Sequence, residues 1–113
     1  MLPEEIQRDL LTCLQQINPV KIILFGSYAD GTAGPDSDID LLVVTDDPFL
    51  PKNFSEKNAI YLRVANTIVD IEKKTPIDLI VHTRAMHKKF IQLDGMFAKQ
   101  ITSKGKVLYE RAD

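Results

Sequence analysis

Three short apolar runs, residues 20–25, 39–45 and 77–81, constrain the fold of this chain more than any other feature. Each is rich in β-branched residues and bounded by turn formers, which is the pattern of a buried strand. Gly26 closes the first run, Asp46-Asp47-Pro48 breaks the second, and Thr75-Pro76 precedes the third. The segment 27–37 between the first two is too short for a full crossover helix. Those two strands are therefore expected to pair antiparallel or in a mixed sheet.

Helical signals fill the spaces between the runs. Pro3-Glu4-Glu5 is a helix start, with proline tolerated in the first turn and acids favoured by the dipole. Ile6, Leu10, Leu14 and Ile17 then recur at helical spacing until Asn18-Pro19 stops them. Ser55 is the expected cap of a long amphipathic helix striped by Ile60, Val64, Ile68 and Ile71 and ending at Lys74. Thr83 caps another, reaching about Ile91, and Gly95 separates it from a short helix over residues 96–102. Lys104-Gly105 turns into residues 107–110, an optional edge strand. The expected class is α+β: a small mixed β-sheet flanked by helices, which pack mainly on one face. The 113 residues suit one domain, 1–113.

Bulk properties exclude several functions. The formal net charge is −2, whereas a domain built to grip nucleic-acid backbone is normally basic. A nucleotide substrate stays open, because a metal ion can supply positive charge. Cys13 is the single cysteine, so no internal disulfide forms and a reducing cytoplasm fits best. It reads as a small packing residue. No apolar run approaches the roughly 20 residues that span a bilayer.

The chemistry concentrates around the ends of the strand runs. A glycine at a strand's end, Gly26, lets backbone approach a ligand closely, and Ser27 can cap a short helix whose free N–H groups face an anion. Alone, Gly-Ser is an ordinary turn. Asp38 and Asp40, two residues apart on a strand, point to one face about 7 Å apart. Two such carboxylates repel unless a cation lies between them, and magnesium prefers oxygen ligands and phosphates. Alone, the pair is a solvated strand start. Ile39, Leu41 and Val43 would then face the core, with Leu42 and Val44 continuing the aspartate face. Asp78, flanked by Ile77 and Leu79, is a costly charge inside an apolar strand unless paired or coordinated. If its strand neighbours that of Asp38 and Asp40, three acids converge, as phosphoryl or nucleotidyl transfer with metal ions requires. Asp78 is then a candidate general base. His82 and His87 read as boundary histidines, and Arg84, Lys88 and Lys89 as a solvated helix face.

Gly26-Ser27, ten intervening residues, then Asp38-Ile39-Asp40 resembles the signature of the nucleotidyltransferase superfamily typified by DNA polymerase beta. More closely, the chain is similar to the minimal nucleotidyltransferases (MNT) of prokaryotes, antitoxins encoded beside HEPN-domain toxins. The likeness takes in the N-terminal helix, residues 36–41, residues 77–80 and the terminal run 105–110. It implies Mg2+ as cofactor and ATP as donor. It places metal-binding and catalytic roles on Asp38, Asp40 and Asp78, and triphosphate cradling on Gly26 and Ser27. It also implies AMP transfer to a tyrosine of a HEPN-domain toxin, silencing that partner. Relatives frequently carry a base where this chain has Asp30, and a carboxylate there does not help hold a triphosphate; Lys21 is the chain's candidate substitute. With no second domain to hold an acceptor, the acceptor is expected to arrive as a protein. The alternatives are transfer to a small hydroxyl compound and a non-catalytic antitoxin that masks its partner by contact.

Overall fold

The computed structural model describes residues 2–112. Its centre is a four-stranded sheet in the order β3-β2-β1-β4, with β1 Lys21–Phe25, β2 Ile39–Val44, β3 Ile77–His82 and β4 Lys106–Glu110. β1 pairs antiparallel with both β2 and β4, and β2 pairs parallel with β3. The sheet is therefore mixed; the antiparallel β1/β2 pair is the one the short 27–37 connection accounts for. β2 is internal and covered on both faces, which explains its nearly unbroken apolar sequence: Ile39, Leu41, Leu42 and Val43 are all fully buried. Each such side chain contributes on the order of 1.5–3 kcal/mol relative to exposure.

Alternation along the strands builds two cores. On one face Ile22, Leu24, Ile39, Leu41, Val43, Leu79 and Val81 pack under α1 (Glu4–Leu14) and α3 (Phe54–Ala65), whose Leu10, Leu14, Ile60 and Val64 supply the other half. On the opposite face Ile23, Leu42 and Val44 pack with Ile80, Phe90 and Ile101. Phe90 and Ile101 come from α5 (Arg84–Leu93) and α6 (Met96–Lys104). Helices thus cover both faces, and the expectation of one dominant face is corrected. The C-terminal helices carry too few buried residues for their packing side to show in sequence.

Three local features also differ from the sequence reading. Asn53, not Ser55, caps α3: the Glu56 N–H donates to Asn53 Oδ1 at 2.9 Å. The long helix expected to Lys74 is interrupted by a tight turn at Asn66–Ile68 before α4 (Val69–Glu72). There the Thr67 hydroxyl donates back to the Val64 carbonyl at 2.7 Å, competing with helical backbone bonding. Arg84 is no loose surface charge, since it pairs with Asp46 at 2.7 Å, as does Arg111 at 2.8 Å. Thr83 caps α5 as expected, accepting from the Met86 N–H at 3.1 Å.

Between α1 and β2 lies α2 (Ser27–Asp30), a single turn at the end of β1. Replacing Asn53 by alanine should destabilise the fold by about 1 kcal/mol in urea unfolding, whereas Ser55→Ala should change it by less than about 0.5 kcal/mol.

Candidate active site

The register of the sheet gathers the acids. Asp40 and Asp78 are direct partners across the parallel β2/β3 pair, so both side chains project from the same face. Asp38 lies just before β2, where the Ile39 N–H donates to the Pro76 carbonyl at 2.9 Å. That bond fixes the entry to β2 against the segment leading into β3. A tight turn precedes it: the Ser37 N–H donates to the Gly34 carbonyl at 3.1 Å, and the Gly34 N–H donates to Ser37 Oγ at 2.8 Å. Asp38 and Asp78 are exposed and Asp40 is half-buried.

Gly26 forms the floor beside them. Its φ of 74° and ψ of −155° belong to a region essentially reserved for glycine. A Cβ at Gly26 would collide with Asp40 Oδ2 and come within 3.0 Å of its Cγ. Backbone and carboxylate are thus in contact because the side chain is missing. Gly26 occupies the N-cap position of α2 and Ser27 is its first helical residue, with no side-chain cap bond. Ser27 therefore does not cap this helix, as the sequence suggested it would. The helix geometry still leaves the first N–H groups of the turn without intrahelical acceptors.

The electrostatics are those of crowded negative charge. Burial, then the neighbouring Asp78 and Asp38 charges, push the Asp40 carboxyl above the usual aspartate range. Every donor offered here is a carboxylate oxygen. Among the described residues no group of three or more His, Cys, Asp or Glu side chains is assembled to hold a metal by itself. Asp38, Asp40 and Asp78 could supply at most part of an oxygen shell, which magnesium would complete with water and substrate phosphates.

Asp30 is engaged in a local motif. Its Oδ1 accepts from the Thr32 N–H at 3.0 Å and from the Thr32 hydroxyl at 2.6 Å, and these bonds hold its carboxyl below the usual range. Lys21 cannot substitute for a base near Gly26. It begins β1, opposite Val44, while Phe25 at the other end faces Asp40; four residues of strand, roughly 13 Å, separate them. Lys21 pairs instead with Glu110 at 3.5 Å.

An aromatic row on the same face escaped the sequence reading. Phe25, the register partner of Asp40, meets Phe97 edge-on at 5.5 Å. Phe97 meets Phe90 at 5.8 Å, and Phe90 meets His82 at 4.9 Å. Phe25 sits next to Gly26 in sequence, which was a usable signal; Phe97 arrives only through the packing of α6. His82 and His87 approach Nδ1 to Nδ1 at 3.1 Å at the far end of this row. Burial, with lesser contributions from His87 and Lys57, pushes His82 down to about 4, so it is neutral at physiological pH.

The profile of the polymerase beta nucleotidyltransferase family matches residues 9–113. No curated protein matches the chain. Among solved structures, a toxin–antitoxin crystal structure with AMP-PNP superposes with a TM-score of 0.57 at 21% identity, over 94% of this chain and 74% of that one. The toxin–antitoxin MntA–HepT gives 0.57 at 17% identity, over 96% and 74%. The tri-AMPylated Shewanella oneidensis HEPN toxin in complex with MNT antitoxin gives 0.51 at 18% identity, over 96% and 72%. At these identities the likeness is one of fold.

Two outcomes test the geometry. Gly26→Ala should destabilise the fold by about 1–3 kcal/mol in chemical unfolding, through backbone strain and displacement of Asp40. For Asp40, a folded pKa above the unfolded value means that the native state binds more protons just above the unfolded pKa. Stability is then lost as pH rises through the folded pKa. In chelator at neutral pH, Asp40→Asn should raise the melting temperature by roughly 2–5 °C. The gain should vanish in scans near pH 4.

Proposed function

The chain belongs to the polymerase beta nucleotidyltransferase family, and from that premise we propose that it is a magnesium-dependent adenylyltransferase and antitoxin. It transfers AMP from ATP to a HEPN-domain protein and thereby neutralises that partner. The observation that carries this reading is the register that sets Asp40 beside Asp78, with the glycine backbone of Gly26 pressed against Asp40. The fold neighbours bring the partner and nucleotide: a toxin–antitoxin structure with AMP-PNP and a tri-AMPylated HEPN toxin with MNT antitoxin.

In this mechanism Gly26 and the first N–H groups of α2 receive the donor's phosphates. Asp38, Asp40 and Asp78 would hold the metal. Bound Mg2+ supplies charge neutralisation for the phosphates and lowers the pKa of the acceptor hydroxyl. Asp78, exposed at the start of β3, would accept the hydroxyl proton. The hydroxyl oxygen forms its bond to the donor's α-phosphorus as the bond to the bridging oxygen breaks, and pyrophosphate leaves. Thr32 donates two hydrogen bonds to the Asp30 carboxylate, which delocalise its charge locally while leaving it ionised.

Incubation with labelled ATP, magnesium and a HEPN-domain protein, sought in the reading frame beside the one for this chain, should label that protein. The Asp38→Ala/Asp40→Ala double variant should lower the rate by at least about 10³-fold. Equal labelling by wild type and double variant would overturn the assignment of the acids. Neutralisation of the partner by the double variant at equal abundance would favour masking by contact.

A further inference from the structure

The catalytic end of the sheet is bordered by a corner that no role above uses. α5 and α6 meet through Asp94 and Gly95, with Asp94 in a left-handed conformation. α6 then runs along β1: Phe97 packs on Phe25 at the Asp40 end, and Ile101 packs near Ile23 further along. The corner therefore lies at the Asp40 end of the sheet. Its apolar residues face solvent: Met96 is 91% exposed, Leu93 73% and Phe97 40%. Phe49, Leu50 and Phe54 form another exposed apolar group, but they follow β2 and lie at its other end.

Charge narrows what the corner can receive. Around it and the site lie the exposed acids Asp36, Asp38, Asp78 and Asp94, with half-buried Asp40 among them. Lys99 lies within 3.8 Å of Asp94, Lys104 acts electrostatically on Asp30 in α2, and Lys74 lines the groove that also holds Asp36 and Ser37. Acids outnumber these cations, and a bound triphosphate would add to the negative charge. An apolar centre within an acidic surround complements a basic protein surface with an apolar middle. A second copy of this chain would bring acid against acid.

We propose that Leu93, Met96 and Phe97 form the seat for the acceptor protein, a basic surface with an apolar centre, and set its hydroxyl beside Asp78. This rests on the transferase reading above. Phe97 is a positioning residue here: it braces Phe25, which faces Asp40, and presents its outer edge to the acceptor.

The test is association of the HEPN-domain protein with the full chain, measured by titration calorimetry, alongside binding of Mg2+ with a non-hydrolysable ATP analogue. Leu93→Asp and Met96→Asp are largely solvent-facing changes that leave folding intact, with circular dichroism as the check. Each should weaken acceptor binding by roughly tenfold or more while leaving analogue binding unchanged. Phe54→Asp, at a residue 79% exposed at the other end of β2, should change neither. Wild-type affinity should also fall with added salt. Acceptor binding unaltered in Leu93→Asp and Met96→Asp, or weakened instead by Phe54→Asp, would overturn the seat while leaving the transferase reading intact. Failure of wild type to bind or label the HEPN-domain protein would refute that reading itself and the seat with it. Self-association of wild type that Met96→Asp abolishes, seen by sedimentation, would also overturn the seat in favour of a second copy.

Discussion

Like-charge crowding at one end of a four-stranded sheet is the interaction on which the rest of this structure turns. Asp40 lies beside Asp78 because β2 and β3 are parallel and in register, and both acids project from the face that α5 and α6 pack against. Nothing in folding rewards this placement. Burial and two neighbouring charges disfavour the ionised form of Asp40. The apolar remainder of β2, buried on both faces, offsets that cost. A divalent cation inverts the balance, turning mutual repulsion into shared attraction.

Gly26 links the two halves of the arrangement. Its positive φ ends β1 and starts α2, and its missing side chain admits the Asp40 carboxylate. One residue thus sets both the turn that would meet phosphate and the position of the acid that would meet metal. The Gly34–Ser37 turn and the bond from Ile39 to Pro76 then hold Asp38 at the mouth of β2. Rigid strands, rather than loops, carry two of the three acids, which fixes their separation.

Much of this was legible in the residues themselves. The alternation in β2 separates Ile39, Leu41 and Val43 from Leu42 and Val44, and the two groups do enter different cores. The short 27–37 connection foretold the antiparallel β1/β2 pair. Pairing of β3 with β2 was a condition of the reading, because no local pattern states which strands become neighbours across a helical crossover. The helices on the second face were less legible. α5 has no buried residue, so its periodicity says little about what it covers. Capping at Asn53 and the break at Thr67 depend on side-chain hydrogen bonds that compete with equally good local alternatives. The role of Phe97 depends wholly on how α6 lies against β1.

On the function proposed above, Asp38, Asp40 and Asp78 hold a divalent cation for a nucleotide. Calorimetric titration of a non-hydrolysable ATP analogue into wild type, Asp40→Asn and Asp78→Asn, with magnesium and with chelator, tests this. The predicted result is tight binding only for wild type with magnesium, and a loss of at least about tenfold on removing either the metal or a carboxylate. Equal binding in chelator, or in the substituted proteins with magnesium, would contradict it.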